Sequence, residues 1–298
     1  MGTSGWGPSK SGESTVDRDA RIGTLADAFF AGSLPTNFID TSNEYGGSRS
    51  EALIGQAMKR AGGLPAGLVL QTKLDRRLSD DDFSADQMWR SLEQSLERLG
   101  VNHLQMLYIH DPEAIGFELA MAPGGPVEAL IRMKEQKITD FIGVSGGPVG
   151  MLQEFVETDH FDALITHNRY TLVDRSGNAL LDAAAHRGMG VNNAAVYGGG
   201  VLTGDPRFAG TYGYRPIRPE VQASIDAITA LCTEAGVPIG AVALQFSLRD
   251  PRIHSTIIGA TALARLDDTM AEAAAVIPEE LWANIDKIVP PASVGLDA

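Results

Sequence analysis

The chain has 298 residues, 44% of them hydrophobic, with 38 acidic against 24 basic side chains and a formal net charge of -14 at pH 7. That length fits two ordinary domains or one α/β barrel, and the charge repels a phosphate backbone, so nucleic acid is excluded as an expected partner. Cys232, the single cysteine, rules out an intramolecular disulfide; no stretch reaches the roughly 20 apolar residues of a membrane span, and the start lacks the basic and apolar regions of a secretory leader, so a cytoplasmic location without membrane partners is expected.

Short apolar runs rich in β-branched residues alternate with longer stretches of helical spacing. Gly2-Thr-Ser-Gly reads as a truncated first strand. A strand over 37–41 follows, then a helix over 51–60 with Ser48 placed to cap it. The strand over 68–73 leads to a helix over 89–99, for which Ser84 is the start signal and Gly100 the stop. Strands over 104–110, 141–145, 163–167, 190–196 and 255–260 continue the series, separated by helices over 126–136, 150–158, 179–187, 221–235 and 239–248. Helices over 262–273 and 278–288 close the chain. Cys232 falls in the apolar part of one of these helices, where a lone thiol reads as core.

Continuous rather than alternating apolar strands, covered by helices, describe a parallel sheet buried on both faces. Eight such repeats in about 250 residues fit a (β/α)8 TIM barrel. The expected fold is therefore α/β, a single barrel domain over 1–298 with a truncated N-terminal strand and an extra C-terminal helix. The rival, a doubly wound open sheet, calls for a glycine-rich turn that opens a helix. Gly2, Gly5 and Gly7 are followed by Pro8 and a polar Lys-Ser-Gly-Glu run that does not, so the dinucleotide fingerprint fails in context. One irregularity stands out, the glycine-rich loop from Tyr197 through Pro206 to Pro216, and long loops in compact domains are usually functional.

In such barrels the working residues sit at the C-terminal ends of strands. Those ends carry Asp40, Lys73 and His110, with Tyr45 in the loop after Asp40. Each alone has a plain explanation: Asp40 as a turn cap, Lys73 as a solvated strand end, Tyr45 packed on the next helix, His110 as a satisfied histidine before Pro112. Together they make a proton-transfer device. An ammonium beside a phenol favours the phenolate and lowers its pKa; Lys73 can supply that ammonium, Asp40 its counter-ion, and His110 a hydrogen bond to a substrate oxygen. The six histidines are scattered with no ligand spacing, so no metal is expected.

Asp40-Thr-Ser-Asn-Glu-Tyr45-Gly-Gly-Ser-Arg-Ser-Glu51, then Thr72-Lys73, Ile109-His110 and Gly143-Val-Ser145, resemble in order the successive signatures of aldo-keto reductases. The resemblance runs from Gly2 to about Asp268. It implies a nicotinamide cofactor extended across the C-terminal rim of the barrel, Tyr45 as acid/base, and Asp40, Lys73 and His110 in support. For the cofactor it points to Thr3, Ser4, Asp40, Ser145, Gly146, His167, Val196 and Gly198, and, for the adenosine phosphates, to Gly259, Ala260, Thr261, Arg265 and Asp268. Trp6, Tyr45, His110 and Tyr197 are expected on the substrate, with loops such as 6–10 shaping its pocket. Residues 167–175 and 193–202 are most similar to the branch holding L-fucose, D-threo-aldose, L-galactose and pyridoxal dehydrogenases.

Several positions depart from the family pattern. Ser145-Gly146 stands where a Ser-Asn pair is usual, His167 where many members place glutamine, and Ala194 where a tyrosine stacks on the nicotinamide, with Tyr197 nearby as a substitute. Gly259 occupies the place of a lysine common in NADPH-preferring reductases. A missing cation weakens attraction for a ribose phosphate, and Asp267 and Asp268 repel it; Arg265 argues the other way. The reading favours NAD over NADP and a dehydrogenase acting on a sugar hemiacetal or similar alcohol. An NADPH-dependent aldehyde or ketone reductase and a non-catalytic nicotinamide-binding regulatory barrel are the alternatives. Substrate identity and oligomeric state are not encoded in any of these motifs.

Overall fold

Helix formation begins earlier than the apolar pattern predicts. In the computed structural model, which describes residues 1–8 and 13–298, α1 covers Thr15–Phe30, a stretch assigned no element above. Ser14 caps it by accepting from Asp17 N, and its buried face is Ile22, Leu25, Ala26, Phe29 and Phe30, the spacing of an amphipathic helix. β-branched Thr15 and Val16 and the mid-helix Gly23 weaken the local propensity that would have announced it. Ser9 and Lys10, in the loop expected to shape the pocket, lie outside the described residues.

The chain divides into two compact units, Met1–Ser145 with Thr158–Ala163 and Gly259–Leu266, and Gly146–Glu157 with Leu164–Ile258 and Asp267–Ala298. In the first, β1 (Phe38–Asp40), α2 (Arg49–Ala61), β2 (Val69–Leu74), α3 (Ala85–Leu99), β3 (Leu104–His110), α5 (Pro126–Glu135) and all but the last residue of β4 (Thr139–Gly146) alternate as expected, while the short α4 (Phe117–Ala120) falls in a stretch read as loop. Strands β1 to β4 are parallel and stand in chain order. Their register sets Asp40 beside Gln71, Lys73 beside Tyr108 and His110 beside Ser145, so the strand ends that carry polar residues are aligned. The expected first strand shrinks to one residue: Gly2 bridges in parallel to Asp40 on one side and Gly259 on the other, and the chain then turns into a 3-10 helix, Ser4–Trp6.

Caps mostly follow the sequence. Ser84 accepts from Gln87 N, and Gly100 ends α3 at φ 70°, a left-handed conformation that suits glycine. Ser48 occupies the N-cap position of α2 but at φ 69°, and its side chain makes no cap bond, which corrects the expected role. Helices α2 and α3 approach closely at Gly55, where a Cβ would stand 2.0 Å from the Arg98 carbonyl oxygen.

The second unit contains α6 (Val149–Glu157), β5 (Ala163–His167), α7 (Asn178–His186), β6 (Gly190–Ala194), α8 (Pro219–Glu234), α9 (Ile239–Leu248), β9 (Ser255–Ile257), most of α10 (Leu263–Ala274) and α11 (Glu279–Ile285). Strand β6 pairs in parallel with β9, Asn192 beside Ser255. It ends two residues sooner than predicted because Ala195 turns left-handed at φ 54°. The glycine-rich loop folds into 3-10 turns, Gly198–Thr203 and Pro206–Phe208, and a two-residue hairpin of β7 (Thr211–Tyr212) with β8 (Arg215–Pro216). Beneath it Leu202, Tyr212, Ile228, Val242 and Trp282 form an apolar cluster that also takes in Cys232. Burial pushes that thiol up to about 11, as befits core rather than nucleophile. Among the described residues no single helix is long and apolar enough to cross a membrane.

Candidate active site

In β2 the side chains of Gln71 and Lys73 share a face, because strand residues alternate, and both reach Asp40 at the end of β1. Lys73 Nζ donates to Asp40 Oδ1 at 2.7 Å, to the Thr41 carbonyl at 2.7 Å and to Tyr45 Oη at 3.1 Å. Gln71 Nε2 donates to the same Asp40 oxygen at 2.7 Å, while Thr3 N and Oγ1 hold the Asp40 carbonyl, each at 3.0 Å. The Lys73 side chain is 1% exposed. Burial works against its charge, but the Asp40 carboxylate and Tyr45 outweigh that and raise its pKa above the ordinary 10.5. It is a committed ammonium.

Tyr45 departs from expectation. Its phenol should be pulled down by Lys73; instead burial dominates and pushes it above the ordinary 10.0, with Lys73 opposing and Asp40 assisting the rise. Desolvation of a phenolate exceeds one ammonium's attraction here, since Asp40 already neutralises that ammonium. In the free protein Tyr45 is therefore a phenol, ready to donate.

His110 lies edge-on to Tyr45, ring centroids 5.5 Å apart at 78°. Its Nδ1 is 2.5 Å from Asp75 Oδ1 and 3.2 Å from Ser42 Oγ, and Nε2 is 3.8 Å from Asp111 Oδ1. Burial disfavours both charges of the His110–Asp75 pair, yet the pairing prevails: the imidazole is held above its ordinary value and the carboxyl below. Helix α3 fixes Asp75, since Ser91 Oγ accepts from its backbone N at 3.0 Å and Gln87 Nε2 donates to its carbonyl at 3.1 Å. Glu51, at the end of the Asp40–Tyr45 motif, is buried and accepts from Thr72 Oγ1 at 2.7 Å and Arg98 Nη1 at 3.2 Å. Arg98 also donates to the Asn43 carbonyl at 3.0 Å, so this carboxylate anchors the loop that carries Tyr45 through its neighbours.

The structure thus brings Asp40, Tyr45, Lys73 and His110 together in the first unit. The same unit holds Thr3, committed to Asp40 as above, the exposed Ser4, and Ser145, buried at the end of β4 with its carbonyl accepting from Asp111 N at 2.7 Å. Trp6, expected on the substrate, is instead fully buried, and its indole N–H donates to the Ala260 carbonyl at 2.8 Å. The second unit holds Gly146, His167, Val196, Gly198 and Asp268. There Tyr197 is 9% exposed, its hydroxyl donating to Glu272 Oε2 at 2.6 Å, so packing fixes the ring. Asp75, Ser42 and Gln71 escaped the sequence reading. The signal was present in the Gln71, Lys73, Asp75 alternation, but Asp75 falls one residue beyond the strand.

The sequence model of the Aldo/keto reductase family matches residues 1–290. The chain belongs to the aldo/keto reductase family. L-galactose dehydrogenase of Arabidopsis thaliana is 30% identical over 261 residues, 86% of this chain and 78% of that protein. D-threo-aldose 1-dehydrogenase of a Pseudomonas species is 29% identical over 274 residues, 83% of this chain and 82% of its own length. An aldo-keto reductase of Bacillus halodurans, solved in its holo form, superposes with a TM-score of 0.76 at 19% identity, covering 99% of this chain and 93% of that one. The fold is accordingly the (β/α)8 barrel, and this aldo-keto reductase is an NAD(P)-dependent oxidoreductase.

Residues of this aldo-keto reductase suit the nicotinamide cofactor its family uses. Asn168 Oδ1, just past β5, is buried and has no hydrogen-bond partner among the described residues, an acceptor suited to a carboxamide N–H. Gly259 is exposed, and among the described residues no atom lies within 4 Å of where a Cβ would stand, so a ligand can approach the backbone there.

Proposed function

We propose that this aldo-keto reductase is a dehydrogenase that removes a hydride from a sugar hemiacetal or a similar small alcohol, with NAD as acceptor. The observation that carries the reading is the buried Lys73 ammonium bonded at once to Asp40 and Tyr45, a costly arrangement that a binding module has no use for. It argues against a non-catalytic regulatory barrel. The similarity to L-galactose and D-threo-aldose dehydrogenases supports an aldose substrate.

When bound, the nicotinamide supplies the carbon that takes or gives the hydride. The chain handles the proton. Tyr45 Oη and the His110 ring converge on the substrate oxygen, Lys73 and Asp40 set the electrostatics around the phenol, and Thr3, Gln71 and Asp75 hold those groups in place. Ser145, Gly146, His167, Val196 and Gly198 are the residues we assign to the nicotinamide half of the cofactor, with Ser4, Gly259, Ala260, Thr261, Arg265 and Asp268 for the adenosine half, all within one catalytic domain. The bare Gly259 and the carboxylates Asp267 and Asp268 support NAD over NADP. A cytoplasmic location and small-molecule partners complete the proposal.

A second reading has its own observation. Burial keeps Tyr45 a neutral phenol, the form that protonates a carbonyl during reduction, and with Arg265 this favours an NADPH-dependent aldehyde or ketone reductase. One experiment separates the two: purified protein with NAD or NADP against aldoses, pyridoxal and simple alcohols, followed at the reduced nicotinamide, then the reverse panel with carbonyls. Turnover of an aldose series with NAD is the expected result. Reduction of carbonyls with NADPH and no aldose oxidation would establish the second reading, and absence of turnover in both panels would remove both.

A further inference from the structure

Glu51 is a charge for which the chemistry above has no use. It stands in the first turn of α2, fully buried, and its bonds go to neither Tyr45 nor Lys73. Withdrawing a carboxylate from water is costly unless its partners offset the loss, and a glutamine has the same shape without that cost. What the two oxygens hold explains the charge.

Oε1 accepts from Thr72 Oγ1 at 2.7 Å. Thr72 precedes Lys73 in β2, and because strand side chains alternate, fixing Thr72 on the face towards α2 sets how far Lys73 projects on the other. Oε2 accepts from Arg98 Nη1 at 3.2 Å, and that same nitrogen donates to the Asn43 carbonyl at 3.0 Å. Asn43 lies two residues before Tyr45, and its side-chain Nδ2 donates to the Ser91 carbonyl at 2.9 Å and to Ser95 Oγ at 3.2 Å, both on α3. One carboxylate thus holds the strand of Lys73 with one oxygen and, through a guanidinium, the loop of Tyr45 with the other. The two arms close on the 3.1 Å contact between Lys73 Nζ and Tyr45 Oη.

Charge matters here as well as shape. Burial raises the pKa of the Glu51 carboxyl above the ordinary 4.5, but Thr72, Ser95 and Arg98 all oppose the rise by donating to it. Every partner therefore calls for an acceptor, and an amide nitrogen in place of Oε2 would set one donor against another. Gly55, one turn further along the same face of α2, lacks the Cβ that would strike the Arg98 carbonyl oxygen. The two helices thereby come near enough for the guanidinium to reach Glu51 and Asn43 at once.

We propose that Glu51 is a positioning residue for the proton transfer: its carboxylate sets the separation of the Lys73 ammonium and the Tyr45 phenol, through Thr72 on one side and through Arg98 and Asn43 on the other. This rests on Tyr45 as the group that handles the substrate proton. The attraction between Glu51 and Arg98 is largely offset by their desolvation, so removing both charges together leaves stability nearly whole. The rate has no such compensation, since a misplacement of about 1 Å costs on the order of a hundredfold. Stability and rate should therefore part company.

The test compares wild type with Glu51→Gln and with Glu51→Gln/Arg98→Met, in whichever direction the wild type turns over. Glu51→Gln should lose kcat about tenfold or more, with KM and the calorimetric affinity for NAD or NADP within about threefold, because a fully buried Glu51 meets neither substrate nor cofactor. Its urea midpoint should fall too. The double variant should regain the midpoint but not the rate, since the Asn43 carbonyl has still lost its guanidinium donor. In crystals of Glu51→Gln the Lys73 Nζ–Tyr45 Oη separation should open beyond the roughly 3.5 Å reach of a hydrogen bond, a reading that needs no turnover. A kcat within about twofold of wild type, a rate that returns with the midpoint in the double variant, or a separation unchanged at 3.1 Å overturns the proposal. If Glu51→Gln does not fold, Thr72→Val, which cuts only the strand arm, decides in its place: kcat should fall about threefold or more with KM and cofactor affinity unchanged, and a wild-type kcat overturns the proposal. Near-normal turnover by Tyr45→Phe would instead remove the assignment of Tyr45, a separate failure read in a separate variant.

Discussion

Replacing Lys73 with Met and Asp40 with Asn, singly and together, measures how the relay is held. At 2.7 Å two unit charges attract by about 6 kcal/mol for an effective dielectric near 20, an attraction largely offset by the desolvation of both groups. Losing one partner leaves the other charge buried: Lys73→Met abandons an Asp40 side chain that is 6% exposed, with Gln71 as its remaining side-chain donor. Each single variant should therefore lose about 3–5 kcal/mol of stability. The double variant removes both charges of the pair, and the amide that replaces the Asp40 carboxylate keeps an oxygen for Gln71, so it should lose little more than either single one. The expected coupling is about 3 kcal/mol, read from the urea midpoints of the four proteins. A double variant whose loss equals the sum of the single ones within about 0.5 kcal/mol would show that the two charges do not depend on each other.

Tyr45→Phe removes one oxygen from the Lys73 shell and leaves Asp40 and Thr41, so turnover should vanish while cofactor affinity, followed by calorimetry, stays within about threefold; near-normal rates would end the mechanism. Gly259→Lys meets no described atom within 4 Å at its Cβ and should improve NADP affinity about tenfold with little change for NAD, and equal effects on both would displace that residue from the 2′-phosphate. Gly55→Ala drives a Cβ against the Arg98 carbonyl and should cost about 1–3 kcal/mol or more in thermal unfolding, whereas an unchanged midpoint would mean α2 and α3 can part freely. The Asp75–His110 pair adds a pH dependence to stability. With His110 raised above 6.5, its share is complete below that value and is lost as pH rises through the folded pKa; with Asp75 lowered below 3.8, its share is present above that value and is lost as pH falls through the folded pKa. Wild type should therefore gain most over Asp75→Asn between those two values, and a constant difference at all pH would refute the pairing.

The alternation of apolar runs and helical stretches is legible wherever strands are buried on both faces, as in β2 and β3. It fails where local propensity and tertiary packing disagree. Helix α1 opens with two β-branched residues and carries Gly23, and Gly2 keeps only a single bridge of a strand. The convergence of Asp40, Tyr45, Lys73 and His110 was legible because the ends of β1, β2 and β3 are aligned, with Tyr45 in the loop that follows β1. What escaped was the layer behind them. Asp75 lies in a turn whose direction is set by Ser91 and Gln87 of α3, contacts that no spacing rule encodes. The expected acidity of Tyr45 also failed, because a phenol's environment depends on how deeply it is buried and on whether its cation is already neutralised, and neither is written in residue order.

Trp6 has one more consequence. Its indole is sealed from water and tied through its N–H to Ala260, the neighbour of Gly259. A change in that backbone on nucleotide binding alters the polarity and quenching felt by a buried fluorophore. The chain thus carries an optical reporter beside the segment assigned to adenosine, and its emission, with Trp89 and Trp282 as background, allows NAD and NADP to be ranked before any substrate is known.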